Sequence, residues 1–130
     1  MIVVDASALL ESLLRMPAAD AVDARLFAAG ETLHAPHLLD VEAAQVIRRY
    51  AAAGEIDEAR GRAALEDLAD LRLRRYPHDI LLPRIWALRD TLTAHDAAYV
   101  ALAEALDAPL LTRDRRLARA AGHRARIELA

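Results

Sequence analysis

Two short apolar runs of the sequence each end near an acidic residue, and this pattern limits the folds that the chain can adopt. Ile2–Val4 is followed at once by Asp5, and Leu110–Thr112 is followed two positions later by Asp114. Runs this short and this apolar are typical of strands that are buried on both faces of a sheet. Long segments of helical periodicity separate them, which indicates parallel strands joined by crossover helices. Open sheets of this kind form their sites at the carboxyl ends of the strands.

The rest of the chain continues this alternation. Pro17 suits the first turn of a helix, and Gly30 and Gly54 mark helix ends. We predict a single α/β domain over residues 1–130, a three-layer α/β/α sandwich around a mainly parallel sheet. Strands are expected over residues 1–4, 32–35, 72–76, 109–112 and 124–129, and helices over residues 6–14, 17–29, 37–52, 55–71, 79–92, 94–107 and 115–121.

The composition excludes several kinds of chemistry. Cysteine is absent, which removes disulfides, thiolate catalysis and cysteine-based zinc sites. All 17 cationic residues are arginine, so mechanisms that need a catalytic lysine are excluded as well. No apolar stretch is long enough to span a bilayer, and the N-terminus lacks the basic segment of a signal peptide. We therefore expect a cytoplasmic protein that does not act in a membrane.

Four acidic side chains form the candidate site. Asp5 and Asp114 follow predicted strands, Asp96 lies near the start of a predicted helix, and Glu42 lies within another helix. Glu42 borders the apolar face of its helix, where an acid is normally paired or functional. Several carboxylates in one pocket repel one another unless they share protons or a cation. Since the ligands would all be oxygen atoms, the expected cation is Mg²⁺ or Mn²⁺.

Each acid on a predicted boundary also has a structural explanation. Asp5 and Asp114 are both placed to cap the helix that follows them. Thr93 and Asp96 have the first-and-fourth spacing of a capping box. The sequence leaves the choice between a helix cap and a metal ligand open at these positions.

Other polar residues support or surround the candidate site. Ser7 and Thr112 flank the acids and are expected either to hydrogen-bond the carboxylates or metal-bound water, or to cap helices locally. Asp40 points away from the apolar face of its helix and is predicted to lie in solvent. His95 is predicted to be a surface residue or an RNA contact.

Arginines are concentrated at the end of the chain. Residues 113–130 contain six of them, in a chain whose net charge is −3. Such a basic end suits the phosphate backbone of RNA, and a solvated arginine-rich face is the alternative. The residues predicted to bind RNA are Arg113, Arg115 and Arg116.

Taken in order, these residues resemble the PIN domain family, and in particular the VapC-like ribonuclease toxins of type II toxin–antitoxin pairs. The start MIVVDASALL resembles the first strand and first acid of the family, and HLLDVE at residues 37–42 resembles the helix that presents its glutamate. The segment LTAHDAAYVALAEALDAPLLTRDRRLARAAG resembles the second half of the family, with its helix aspartate and its Thr-x-Asp. The resemblance covers the whole chain, and all four acids match.

The resemblance implies a Mg²⁺-dependent endoribonuclease, with Mn²⁺ as a substitute ion. Asp5 and Asp96 would be the principal metal ligands, and Asp114 and Glu42 would act directly or through bound water. Either Glu42 or Asp114 would orient or deprotonate the attacking water, and the site would hold one ion or two. The hydroxyls of Ser7 and Thr112 would support this arrangement.

The resemblance also implies partners. These are a VapB-like antitoxin that inserts a C-terminal segment into the acidic site, a second copy of the chain in a homodimer, and a structured RNA such as tRNA. The alternative is a non-catalytic PIN module that binds RNA or a protein partner and uses its acids only as caps. A response-regulator receiver domain or a haloacid-dehalogenase-type phosphatase is disfavoured because each requires a lysine, which the chain lacks.

Overall fold

A parallel sheet of five strands forms the centre of the protein, and the computed structural model describes all 130 residues. The strands are β1 (Ile2–Val4), β2 (Leu33–Pro36), β3 (Leu73–Tyr76), β4 (Leu110–Thr112) and β5 (Ile127–Leu129). They lie in the order β3-β2-β1-β4-β5, and every neighbouring pair is parallel. The predicted parallel sheet is therefore confirmed.

Helices cover both faces of this sheet. They are α1 (Ala6–Leu13), α2 (Ala19–Leu26), α3 (Leu38–Ala52), α4 (Glu58–Asp70), α5 (Leu82–Ala87), α6 (Ala94–Leu106) and α7 (Arg115–Arg119). Helix α1 packs against α2, α3 and α4, whereas α6 packs against α5, β1 and β2. Because parallel crossovers are right-handed, α1 to α4 lie on one face and α5 to α7 on the other, as the three-layer prediction requires. No helix combines the length and the apolar character needed to cross a membrane.

The order of the strands creates a crevice beside β1. The chain passes from β1 to β2 in one direction along the sheet, and from β4 to β5 in the opposite direction. In open α/β sheets, ligands bind at the carboxyl ends of the strands where the order reverses in this way. Asp5 follows β1 and Asp114 follows β4, so the fold brings both acids to this crevice.

The two central strands are apolar throughout because helices cover them on both faces. Ile2, Val3, Val4 and Leu110 are fully buried, and each such side chain contributes about 1.5–3 kcal/mol to folding. The apolar run stops where the strand reaches the edge of the sheet. Asp5 is thus held at the end of a rigid element.

The segment predicted as one helix over residues 79–92 is divided in the structure. A single 3-10 turn covers Asp79–Leu81, and α5 ends at Ala87. Pro83 has no backbone N–H and fits only the first turn of a helix, which sets the start of α5. The backbone N–H of Leu88 is shared between the carbonyls of Arg84 and Ile85, and this tightened last turn ends the helix. The predicted continuous helix was therefore wrong.

Asp40, predicted from the sequence to lie in solvent, has a side chain that is 40% exposed but also forms an ion pair that the sequence did not indicate. Its two carboxylate oxygens accept hydrogen bonds from Nε and Nη2 of Arg75 at 2.7 and 2.9 Å. Arg75 lies on β3, so this bidentate pair connects α3 to the edge of the sheet. A helical wheel cannot reveal it, because the partner comes from a strand 35 residues away.

Candidate active site

The four predicted acids line one cavity of about 650 Å³ at the carboxyl edge of the sheet. Loops after β1 and β4 carry two of them, and α3 and α6 carry the others. The remaining wall combines polar and apolar side chains, mainly from α1, α3 and α6. The acids in the cavity are Asp5, Glu42, Asp96 and Asp114.

Asp5 is the most buried of the acids, with 7% of its surface exposed. Its Oδ1 accepts hydrogen bonds from the Ser7 hydroxyl at 2.6 Å and from the backbone N–H of Ala8 at 3.0 Å. The bond from Ala8 is the helix cap that the sequence had suggested for α1. Burial nevertheless raises the pKa of Asp5, although the hydrogen bonds oppose it. A cap that lies in water would not have this electrostatic cost.

Two hydroxyl groups hold the Asp5 carboxylate in place. The fully buried Thr112 donates to Oδ2 of Asp5 and accepts from the backbone N–H of Asp114 at 2.9 Å. Ser7 donates to the other oxygen and accepts from the backbone N–H of Arg113 at 2.9 Å. These bonds connect the end of β1 to the end of β4, so the structure brings Ser7 and Thr112 together with the acids.

Glu42 projects from α3 into the same cavity and is half-buried. Burial raises the pKa of Glu42, and the nearby acids Asp5 and Asp96 raise it further, while a hydrogen bond from Tyr99 opposes the rise. The Tyr99 hydroxyl donates to Oε1 of Glu42 at 2.5 Å. Burial also raises the pKa of Tyr99 well above its usual range, so this hydroxyl keeps its proton.

Asp96 lies in the first turn of α6 and offers a free carboxylate. Its backbone N–H donates to the Thr93 hydroxyl at 3.2 Å, which is one half of the predicted capping box. The reciprocal bond from Thr93 to the Asp96 side chain does not form, and that carboxylate accepts no hydrogen bond from the protein. A ligand in the cavity can therefore use both of its oxygens.

Asp114 differs electrostatically from the other acids. Burial alone would raise its pKa, but hydrogen bonds from the backbone and the guanidinium of Arg116 outweigh this effect and lower the pKa of Asp114. Its Oδ1 accepts from the Arg116 backbone N–H at 2.8 Å and caps α7. Asp114 thus stays ionised at the outer rim of the cavity.

Sequence comparison assigns this chain to a family. The PIN domain profile matches residues 2–123. The chain belongs to the PIN domain family. Ribonuclease VapC12 of Mycobacterium tuberculosis is 46% identical over 129 residues, which are 99% of this chain and 98% of that protein. The predicted membership among VapC-like PIN domains is confirmed.

Solved structures have the same fold. PAE2754 from Pyrobaculum aerophilum has a TM-score of 0.73 and 25% identity, and the match covers 97% of this chain and 81% of that one. VapBC2 from Rickettsia felis, solved with a DNA fragment from its promoter, has a TM-score of 0.73 and 14% identity, covering 100% and 99% of the two chains. The match to VapBC2 shows the shared fold alone.

The side chains of this PIN domain suit a hard divalent cation. The cavity offers carboxylate and hydroxyl oxygens, the atoms that Mg²⁺ and Mn²⁺ prefer. Asp5 forms no ion pair with an arginine, so its buried charge is not balanced by the protein. No three acidic or histidine side chains are close enough to hold an ion among themselves. Mg²⁺ usually binds through one or two carboxylates and keeps several waters, so it does not require three protein ligands.

The three arginines predicted to bind RNA differ in whether an acidic side chain already pairs with them. Arg113 lies 3.4 Å from Glu11 and donates to the carbonyl of Ala130. Arg116 lies 3.5 Å from Asp114. Arg115 is exposed and forms no ion pair, so it is the most available of the three for a phosphate.

Several residues that line the cavity of this PIN domain were not predicted from the sequence, among them Tyr99 and Arg49. Tyr99 lies three positions after Asp96 on α6, and Arg49 lies seven positions after Glu42 on α3. Both spacings place the residue on the same helix face as the acid, which is the signal that could have identified them. His95, predicted as a surface residue or an RNA contact, is exposed and lies on the rim of the cavity.

Proposed function

We propose that this chain is a metal-dependent endoribonuclease and the toxin of a toxin–antitoxin pair. The observation that carries the proposal is a single cavity lined by four carboxylates, in a chain 46% identical over nearly its whole length to Ribonuclease VapC12. In this proposal Asp5 and Asp96 hold Mg²⁺, or Mn²⁺ in its place, and Glu42 and Asp114 act on it through bound water, because no three of these side chains are close enough to share an ion. When bound, the cation supplies a Lewis acid that offsets the charge of the phosphate and lowers the pKa of water.

We assign the role of general base to Glu42. A base is most effective when its pKa is close to the working pH, and burial raises the pKa of Glu42. The Asp114 carboxyl has a lowered pKa and is bonded to Arg116, so it is a weaker base and serves to hold charge. Two acids whose surroundings separate their pKa values commonly divide acid–base and electrostatic roles in this way. Ser7 and Thr112 keep the Asp5 carboxylate in one orientation.

We expect the arginines after β4 to bind the RNA strand through its phosphates. Changing Arg113, Arg115 and Arg116 together to Gln should flatten the slope of log affinity against log salt, because each phosphate contact contributes about 0.7 to the slope for a single strand. The single change Arg115→Gln should account for most of the effect, since the other two side chains already have carboxylate partners. Binding would be measured in EDTA, which prevents cleavage.

Arg62→Gln is the matched control for this measurement. Arg62 lies on α4, pairs with Glu58 and is outside the cavity. If the triple variant and this control have the same salt slope as the wild-type protein, the C-terminal arginines are only a solvated face.

The surroundings of the site support a VapB-like antitoxin as partner. Apolar side chains of Leu10, Val41 and Val46 line the cavity beside the acids, and Val41 is 73% exposed. An acidic centre with an apolar rim is complementary to a peptide that carries an arginine among apolar residues. VapBC2 from Rickettsia felis is one of the solved structures with the same fold.

A homodimer is also part of the proposal. The 3-10 turn and α5 expose Ile80, Leu82 and Trp86, which are 63%, 56% and 69% exposed. Adjacent exposed apolar side chains of this size mark contact surfaces. The second copy would complete a basic groove for a structured RNA such as tRNA.

Expression in a bacterial host tests the proposal as a whole. The chain alone should stop growth and cleave cellular RNA, and co-expression with a small open reading frame directly upstream of its gene should restore growth and yield a copurifying complex. The soluble Asp5→Asn variant should still copurify with the partner but should not inhibit growth. Normal growth of cells that contain the soluble wild-type chain would count against a toxin.

The alternative, a non-catalytic module, is favoured by one observation, namely that Asp5 and Asp114 do cap α1 and α7. Capping of α1 uses only Oδ1 of Asp5, however, and Asp96 caps nothing through its side chain. The extra buried charge would have no benefit in a purely structural role.

A further inference from the structure

Tyr99 connects the core of the protein to the cavity. Its side chain is 2% exposed, yet its hydroxyl reaches the cavity and donates to Oε1 of Glu42 at 2.5 Å. The two residues are 57 positions apart, on α6 and α3. This is the hydrogen bond that the Glu42 carboxylate receives from the protein.

The chemistry of this bond gives it a direction. A phenol keeps its proton at neutral pH, so the Tyr99 hydroxyl is the donor and the carboxylate is the acceptor. Hydrogen bonds to an ionised group are shorter and stronger than those between neutral groups. The donor is also rigid, because the buried ring of Tyr99 is packed on all sides.

Glu42, by contrast, has a flexible side chain on a half-buried part of α3. A fixed donor selects one of its rotamers and orients one oxygen, which leaves the lone pairs of Oε2 for the cavity. Asp96 lies one helical turn before Tyr99 on α6. One helix therefore sets the positions of two of the four acids, one directly and one through a hydroxyl.

We propose that Tyr99 is a positioning residue of the active site, whose hydroxyl holds the Glu42 carboxylate in the orientation needed to accept a proton from water and to contact the water shell of a divalent cation. The inference rests on the proposed ribonuclease function and adds a residue to its site. Tyr99 does not touch the substrate in this arrangement. Its whole effect passes through Glu42.

The test is the change Tyr99→Phe, which removes the hydroxyl and keeps the buried ring. Partners of metal-binding side chains typically change metal affinity or activity by roughly 10- to 100-fold. We expect Tyr99→Phe to lower kcat for RNA cleavage by that factor at unchanged KM, and to weaken the binding of Mn²⁺, measured by titration of the metal-free protein. A cooperative thermal unfolding transition of the metal-free variant would show that the fold is kept.

Tyr76→Phe is the matched control. Its hydroxyl is 2.7 Å from Nδ1 of His34 and lies outside the cavity, so the same atom is lost from a comparable hydrogen bond. This control should leave kcat and Mn²⁺ binding unchanged. Equal losses in both variants would mean that removal of any tyrosine hydroxyl disturbs the protein, and the proposal would be wrong.

Glu42→Gln separates positioning from packing. If Tyr99 acts through Glu42, then adding Tyr99→Phe to Glu42→Gln should not lower kcat any further. If the two changes multiply, Tyr99 acts independently of Glu42 and the proposal is overturned. Failure of Tyr99→Phe to fold would overturn it as well, because the role would then be structural.

The inference and the proposed function can fail separately. If the wild-type chain neither binds Mn²⁺ nor cleaves RNA, the proposed function fails and the inference fails with it. If the wild-type chain does both and Tyr99→Phe matches it in kcat and in Mn²⁺ titration, only the role of Tyr99 is wrong.

Discussion

Changing Asp5 to Asn will lower RNA cleavage by at least about 100-fold and will leave the metal-free protein no less stable than the wild type. A catalytic metal supplies several kcal/mol to the transition state, and each 1.36 kcal/mol is a factor of ten in rate. A neutral amide cannot hold a hard cation in place of a carboxylate. The activity should therefore fall by orders of magnitude even though the side chain keeps its shape.

The stability should be kept because the hydrogen bonds around Asp5 can be re-formed. The amide oxygen can still accept from Ser7 and from the backbone N–H of Ala8, and Asn caps helices about as well as Asp. The amide nitrogen would face Thr112, whose hydroxyl can turn and accept instead of donate. The variant also removes a charge whose pKa burial has raised, so the free energy of unfolding should be equal or higher.

The same pKa shift predicts a pH dependence of stability in the metal-free protein. Because the pKa of Asp5 in the folded state lies above its ordinary value of 3.8, the folded state binds this proton more tightly than the unfolded state. The contribution of Asp5 to the free energy of unfolding therefore rises as the pH falls through the raised pKa, and is complete below 3.8. This contribution should be missing in Asp5→Asn.

Asp57→Asn is the matched control for the measurements of cleavage and melting temperature. Asp57 caps α4, accepting from the backbone N–H of Arg60 at 2.7 Å, and lies on an exposed surface outside the cavity. It should leave RNA cleavage unchanged. If Asp5→Asn behaves like Asp57→Asn, with full activity and an unchanged melting temperature, then Asp5 is a cap and the nuclease proposal loses its principal ligand.

Removal of divalent cations with EDTA will reduce RNA cleavage to background, and Mg²⁺ or Mn²⁺ will restore it while Ca²⁺ will not. Mg²⁺ requires near-octahedral geometry with short bonds, whereas Ca²⁺ accepts six to eight ligands at longer and more variable distances. The looser shell does not keep the attacking water in line with the phosphate. The expected loss is large because both the Lewis acid and the orientation of the water disappear together.

Thermal unfolding provides a second measurement that does not depend on RNA. Mg²⁺ or Mn²⁺ should raise the melting temperature of the wild-type protein, because a ligand that binds only the folded state stabilises it. The shift should be small or absent in Asp5→Asn, and Ca²⁺ should compete with Mn²⁺ without supporting cleavage. Equal cleavage in EDTA and in Mg²⁺ would end the metal hypothesis.

Features of the fold that depend on local pattern could be read from the sequence. Strands such as Ile2–Val4 were recognisable because they are buried on both faces and so are apolar without interruption. The acids at the ends of β1 and β4 were recognisable because parallel strands place their carboxyl ends at one edge. Helix boundaries were less certain, as at residues 79–92, because a tightened last turn leaves little signal in the sequence.

The sequence by itself therefore determined the parallel sheet, the family and the four acids, since each depends on residue order and on periods that repeat within a segment. Only the tertiary structure decided which groups surround those acids, namely the Tyr99 hydroxyl beside Glu42 and the Thr112 hydroxyl beside Asp5. It also decided that Arg113 pairs with Glu11. Such contacts join residues about 60 to 110 positions apart. They arise from the packing of helices and strands against one another, and no period along the chain encodes that packing.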